Sequence, residues 1–228
     1  MGSILIVDVE TTGLDPKTDR IVEVGAVLYS VQHRCIVEQW ASLVDTGSPN
    51  TAEAINRIPS SALVGAPLLD EVLQRLNGHL GYPNRILMAH RAEFDRSFLD
   101  ASGFDSMDTP WVCSKFDVEW PLSKPGASCV EMALAHGVPV VSAHRALTDC
   151  MLIAKTLEAV QALGHDLPAM LARAMRPKAM FRANVSYDDR ELAKTAGFHW
   201  EPASKSWLRR MAKDDTASLA FPVSEVPA

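Results

Sequence analysis

Cysteine is scarce and unpatterned: Cys35, Cys113, Cys129 and Cys150 are the four in 228 residues, and no two form a CxxC pair. That argues against a disulfide framework and a zinc knuckle, and for reduced thiols in a cytoplasmic setting. No apolar run approaches the roughly 20 residues that cross a bilayer. The N-terminus lacks a basic region followed by a long apolar stretch and a cleavage site, so neither export nor anchoring is expected. Internal repeats and low-complexity tracts are also missing, so no repeat array or compositionally biased linker is expected. What remains is an ordinary globular composition, 47% hydrophobic and 22% charged, enough for one large domain or a domain with a small appendage.

The net charge of −6 conceals an asymmetry. Residues 1–169 carry 12 Lys/Arg against 21 Asp/Glu, a net of −9, whereas residues 170–213 carry 10 against 4, a net of +6. An acidic body with a basic C-terminal segment suits a protein that holds a polyanion near a carboxylate-rich site; a solvated basic surface is the plainer alternative.

Residues 3–9, 20–30 and 35–44 read as consecutive strands, β-branched and closely spaced, which predicts an antiparallel meander. "PLLDEVLQRLNGHL" places Leu68, Leu69, Val72, Leu73, Leu76 and Leu80 at helical spacing, and "RILMA" at 85–89 is a short buried strand. "AEFDRSFLDAS" reads as a helix closing at Gly103. Ser128 with Glu131 has the form of a capping box for a helix ending at Gly137, and the longest helix runs from about Ala146 to Leu163. The pattern predicts an α/β fold with a mixed sheet flanked by helices. The expected organisation is a main domain over 1–165, a linker over 166–179, a small basic α+β module over 180–213 and a flexible tail over 214–228. Within the module, Ser186 and Asp189 read as a capping box, and "FHW", "EPASK" and "SWLRRM" as a hairpin.

The first strand, "ILIVDVETTGL", ends in two carboxylates. Asp8 and Glu10 are two apart, so in a strand they share a face, where like charges raise each other's pKa unless a cation sits between them. Two further segments supply matching acids: "AHRAEFDRSFL", with Asp95 at the start of a helix, and "HRALTDC", with His144 five residues before Asp149. Four carboxylates at strand ends and helix starts, with one histidine, are what a two-metal phosphodiester site requires. Hard ions such as Mg²⁺ or Mn²⁺ take carboxylate oxygens, paired ions clamp attacking and leaving oxygens, and an imidazole accepts a proton near neutral pH.

These three segments, in this order, resemble the Exo I, II and III motifs of the DnaQ-like 3′→5′ exonucleases, the DEDD superfamily of the RNase H-like fold. A histidine five before the last aspartate resembles the DEDDh branch, with exonuclease X and proofreading subunits as the nearest likeness. The resemblance implies Asp8, Glu10, Asp95 and Asp149 as ligands of two divalent ions, Asp8 shared by both, and His144 as general base. It places Thr11, Thr12, Gly13 and Leu14 at the terminal nucleotide, with Leu14 as an apolar wedge. Arg91 stands where the family usually has asparagine, as a candidate phosphate contact or a solvent-facing side chain, and "NRIPSSAL" replaces the usual "HGI" loop. The implied activity is release of nucleoside 5′-monophosphates from single-stranded or frayed 3′ ends, DNA before RNA, with a role in DNA repair. An RNA-trimming exonuclease and a catalytically silent nucleic-acid-binding protein are the rivals.

Other residues are given plainer roles. His90 is expected to hydrogen-bond within the fold and Glu23 to be structural, while Trp200 and Trp207 are assigned to the hairpin core, base stacking being the alternative. Arg173, Arg176, Lys178, Arg182, Arg209 and Arg210 form a candidate phosphate track. "GFHWEPASKSW" resembles a small W-x-P-x-x-K-x-W module appended to nucleic-acid enzymes.

Overall fold

The computed structural model describes residues 2–81, 84–106, 108–142 and 144–227. It divides into two compact units, Met1–Ala174 and Met175–Ala228.

The first unit is built on a five-stranded mixed sheet. Its strands are β1 (Ser3–Thr11), β2 (Ile21–Ser30), β3 (Cys35–Leu43), β4 (Arg85–Ala89) and β5 (Trp111–Cys113), in spatial order β3-β2-β1-β4-β5. The first three pair antiparallel as the meander predicts, while β1–β4 and β4–β5 pair parallel. The three-residue β5 gave no sequence signal, being too short to show a period.

Ile4, Leu5, Ile6 and Val7 in the central strand are all fully buried. Leu5, Val7 and Val9 pack with Val72, Leu73 and Leu76 of α3 (Leu69–Asn77) and Phe98 and Leu99 of α4 (Ala92–Ala101). The other face of β1 and β2 carries the long helix, Ala146–Ala162; on that side Tyr29 donates its hydroxyl to Gln161 at 2.5 Å. Two short helices, α1 (Glu53–Asn56) and α2 (Ser60–Leu63), lie between β3 and α3. α5 (Cys129–Ala135) precedes the long helix, which is therefore α6. The capping box at α5 is formed: Ser128 Oγ accepts from the Glu131 N–H at 3.2 Å and Glu131 returns a carboxylate to the Ser128 N–H at 2.8 Å.

Most of the expected linker is instead helix α7 (Leu167–Ala174), part of the first unit. Leu167, Met170, Leu171 and Ala174 recur at helical spacing and are buried, and Asp166 accepts from the Ala169 N–H at 3.0 Å as an N-cap. The overlooked signal was this apolar stripe, masked by Pro168, which a first helical turn tolerates.

The second unit is an antiparallel sheet of β6 (Lys178–Ala183), β7 (His199–Glu201), β8 (Ser206–Ala212) and β9 (Val223–Val226), ordered β7-β8-β6-β9, with helix α8 (Arg190–Thr195). Phe181, Ala183, Ala193, Phe198 and Met211 form its core. The expected hairpin forms and sets Trp200 opposite Trp207, but Trp200, expected in the core, remains 48% exposed, because β7 is an edge strand. Ser186 and Asp189 do bond, Ser186 Oγ donating to Asp189 at 2.6 Å, but in the turn before α8, which starts at Arg190. Residues 214–227 of the segment expected to be a flexible tail carry a 3₁₀ turn and a strand. A 3₁₀ turn spans Lys213–Ser218, Phe221 meets Phe198 edge-on at 5.5 Å, and β9 pairs with β6. A four-residue strand completing another strand's hydrogen bonds needs no periodicity of its own.

Candidate active site

Asp8 and Glu10 lie at the C-terminal end of β1 on the face covered by α6, opposite Gly25 and Glu23 of β2 in register. Asp149 lies in the first turn of α6. Oxygens of Asp8, Glu10 and Asp149 fall within 4.8 Å of one another. Gly25 makes this approach feasible: a Cβ there would stand 2.4 Å from the backbone of Ala146 and Leu147, so any side chain would lift α6 off the sheet. Asp95, in the first turn of α4, is outside that mutual distance but beside it. It is 2% exposed, and its Oδ1 accepts from the Val9 N–H, between Asp8 and Glu10, at 3.1 Å.

Crowding of buried acids shows in their protonation. Burial, followed by the charges of Asp95, Asp149, Glu10 and Glu23, drives the Asp8 carboxyl well above the usual range. Glu10 is pushed up to about 7 by burial and by Asp149, with Arg145 opposing. Asp95 also rises to about 7 through burial, despite its bond from Val9, and Asp149 rises for the same reason. Acids so placed either keep their protons or neutralise one another through a cation. The cluster offers carboxylate oxygens alone, the donor set of a hard divalent ion such as Mg²⁺ or Mn²⁺.

His144 is exposed and sits just before α6 in the left-handed region, φ 61°; its N–H donates to Asp149 Oδ2 at 3.1 Å. The threonines after Glu10 bond within their own segment. Thr11 Oγ1 donates to the Gly13 carbonyl at 2.6 Å, while Thr12 Oγ1 donates to Asp19 at 3.2 Å and accepts from the Arg20 N–H at 2.9 Å. Gly13 has a reason within this loop: a Cβ would collide with the Asp19 carboxylate at 2.4 Å. Leu14 is 84% exposed beside them. Arg91 is exposed, caps α4 from the left-handed region at φ 75°, and its charge lowers the pKa of Asp95. The "NRIPSSAL" stretch is tied to this segment through its first residue, Asn56, which donates to the Thr11 carbonyl at 3.3 Å; Thr51, five residues before it, donates to the Thr12 carbonyl at 2.6 Å.

His90 is structural, as expected. Its Nε2 donates to the Ala127 carbonyl at 3.1 Å, which leaves Nδ1 to accept from Ser114 at 2.8 Å; burial holds it neutral, its pKa lowered to about 4. Sequence reasoning missed Arg145. It meets Glu23 through two bonds, Nη2 to Oε1 at 2.7 Å and Nε to Oε2 at 3.0 Å, and the available signal was a lone acid within the apolar run "RIVEVGAV".

Residues 5–157, some two thirds of the chain, match the family described as Exonuclease. The chain belongs to this family. Residues 179–226 match a separate family, Domain of unknown function (DUF8626). A "3'-5' exonuclease DinG" of Staphylococcus aureus is 27% identical over 168 residues, 69% of this chain and 18% of its own length. The chain spans about a tenth to a fifth of the length of the curated relatives it matches. Among solved structures, exonuclease X in complex with 5′ overhanging duplex DNA superimposes with TM-score 0.56 at 25% identity, covering 75% of this chain and 99% of that one. The nuclease domain of 3'hExo, a DEDDh family member bound to rAMP, superimposes with TM-score 0.57 at 17% identity over 72% of this chain and 93% of that one, a likeness of fold. The oxygen-only cluster of Asp8, Glu10 and Asp149 in this Exonuclease domain fits a divalent metal ion. Among the described residues, no helix is long and apolar enough to cross a membrane.

Proposed function

We propose that the protein is a metal-dependent 3′→5′ exonuclease that releases nucleoside 5′-monophosphates from single-stranded or frayed 3′ ends of DNA. The observation that carries this reading is the convergence of Asp8, Glu10 and Asp149 within 4.8 Å, with Asp95 beside them, in an Exonuclease-family fold. Asp8, Glu10, Asp95 and Asp149 would hold two divalent ions, which when bound supply charge neutralisation and an acidified water.

The residues do the rest. His144, exposed at the mouth of α6, accepts the proton lost by the attacking water as its oxygen bonds to phosphorus. The bond to the 3′-oxygen of the preceding nucleotide breaks, and that oxygen takes a proton from solvent. The Thr11 hydroxyl proton is committed to Gly13, so Thr11 Oγ1 serves as an acceptor for the terminal 3′-OH. Leu14 packs against the terminal base and Arg91 against backbone phosphate. The second unit adds phosphate contacts through Arg182 and Arg210. Both are exposed, and register places them on the sheet face opposite the Phe181 core.

DNA is favoured because exonuclease X, whose solved chain is covered to 99%, was solved with DNA. The second reading, an exoribonuclease, is supported by the rAMP bound to 3'hExo. Digestion of matched 3′-labelled DNA and RNA oligonucleotides with Mg²⁺ tests both. Faster loss of mononucleotides from DNA is expected, faster loss from RNA reverses the substrate, and an Asp8→Ala protein that keeps parental activity refutes the site.

A further inference from the structure

We infer that the Glu23–Arg145 pair is a positioning clamp, which fixes the first turn of α6 on β2 and thereby sets Asp149 and His144 against Asp8 and Glu10. The Glu23 side chain is 3% exposed and receives three N–H groups from two consecutive residues: Arg145 Nη2 at 2.7 Å, Arg145 Nε at 3.0 Å and the Ala146 amide at 3.0 Å. One carboxylate therefore holds both a side chain and the main chain where the helix begins. The Ala146 amide is among the first-turn donors that no helical carbonyl can serve.

The clamp sits between the two halves of the site. On β2, Glu23 lies opposite Glu10 in register. On α6, Arg145 is flanked by His144, whose left-handed backbone aims its N–H at Asp149 Oδ2, and the Arg145 carbonyl accepts the Asp149 N–H at 3.1 Å. α6 must press an acid against two others, and Gly25 removes the steric barrier while its carbonyl accepts only a weak thiol bond, from Cys150 Sγ at 3.5 Å. A fork of two charge-assisted bonds supplies attraction with a fixed direction. A buried ion pair alone is weak evidence for stability; here its place beside the ligands gives it a role.

The kinetic half of this inference rests on the exonuclease reading; the metal-binding half does not. The full chain is compared with Arg145→Lys, which keeps the charge but loses the fork, with Glu23→Gln, and with the double variant. Mn²⁺ affinity is measured by calorimetry without substrate, kcat and KM on 3′-labelled single-stranded DNA, and the urea midpoint in EDTA. Arg145→Lys should lose roughly 10–100-fold in kcat and in Mn²⁺ affinity, as partners of metal ligands typically do. Its KM should stay within about threefold and its urea midpoint close to the parent's. The double variant should be no worse than the poorer single variant, because both remove one device. Parental kcat and Mn²⁺ affinity in Arg145→Lys would overturn the clamp, as would additive losses or losses that only follow the urea midpoint. A parent protein inert on every oligonucleotide would sink the exonuclease reading, while weaker Mn²⁺ binding by Arg145→Lys would still support the clamp.

Discussion

Glu10→Gln removes one of three carboxylates that approach within 4.8 Å while keeping its size. In the folded protein the Glu10 carboxyl is pushed from 4.5 up to about 7 by burial and by Asp149. That gap corresponds to about 3 kcal/mol at roughly 1.4 kcal/mol per pKa unit, and about 2 kcal/mol after allowing for its partial exposure. The sign follows from proton counting. Between about pH 4.5 and 7 the folded chain keeps a proton that the unfolded chain has lost, so metal-free stability falls as pH rises through that window and then levels. Glutamine has no proton to lose. In EDTA the variant should match the parent near pH 4.5 and melt roughly 4–8 °C higher at pH 8. With saturating Mn²⁺ the order should reverse, since the parent gains binding energy that the variant lacks. Thermal melts followed by circular dichroism at both pH values, with and without Mn²⁺, read each term. An equal or lower melting temperature at pH 8 in EDTA would refute the reasoning, as would a gain independent of pH.

Three further outcomes are expected. His144→Ala should lower kcat by roughly 10²–10⁴-fold while calorimetry finds Mn²⁺ affinity largely retained; unchanged turnover removes His144 from the base role. Gly25→Ala, whose new methyl would meet the α6 backbone at 2.4 Å, should cost about 2–3 kcal/mol in urea unfolding and weaken Mn²⁺ binding; a parental midpoint would mean that α6 yields freely. Reversing Arg182 and Arg210 together to glutamate should weaken single-stranded DNA binding and flatten its slope against log salt by at least about 1, and an unaltered slope assigns the second unit another role.

Much of the frame was legible in the sequence because local patterning and tertiary packing agree. The β-branched runs of β1–β3, the leucine spacing of α3 and the Ser128–Glu131 box all describe elements whose local preference matches their burial. The errors fall where a segment draws its order from elsewhere. β5 and β9 are too short to show a period and are held by the strands beside them, α7 hid its stripe behind a proline, and Trp200 is exposed by an edge position that no hairpin pattern reveals.

The same division runs through the site. By itself the sequence determined which chemistry was available: acids at strand ends and helix starts, two residues apart in one strand, with a histidine five before the last, because spacing fixes which side chains share a face. Only the tertiary structure decided how those groups are held. Whether Asp149 reaches Asp8 depends on a glycine in another strand, on a buried glutamate more than a hundred residues from its arginine, and on α6 lying flat against β2. Such contacts are made across space by residues with no fixed separation along the chain, so local spacing carries no trace of them.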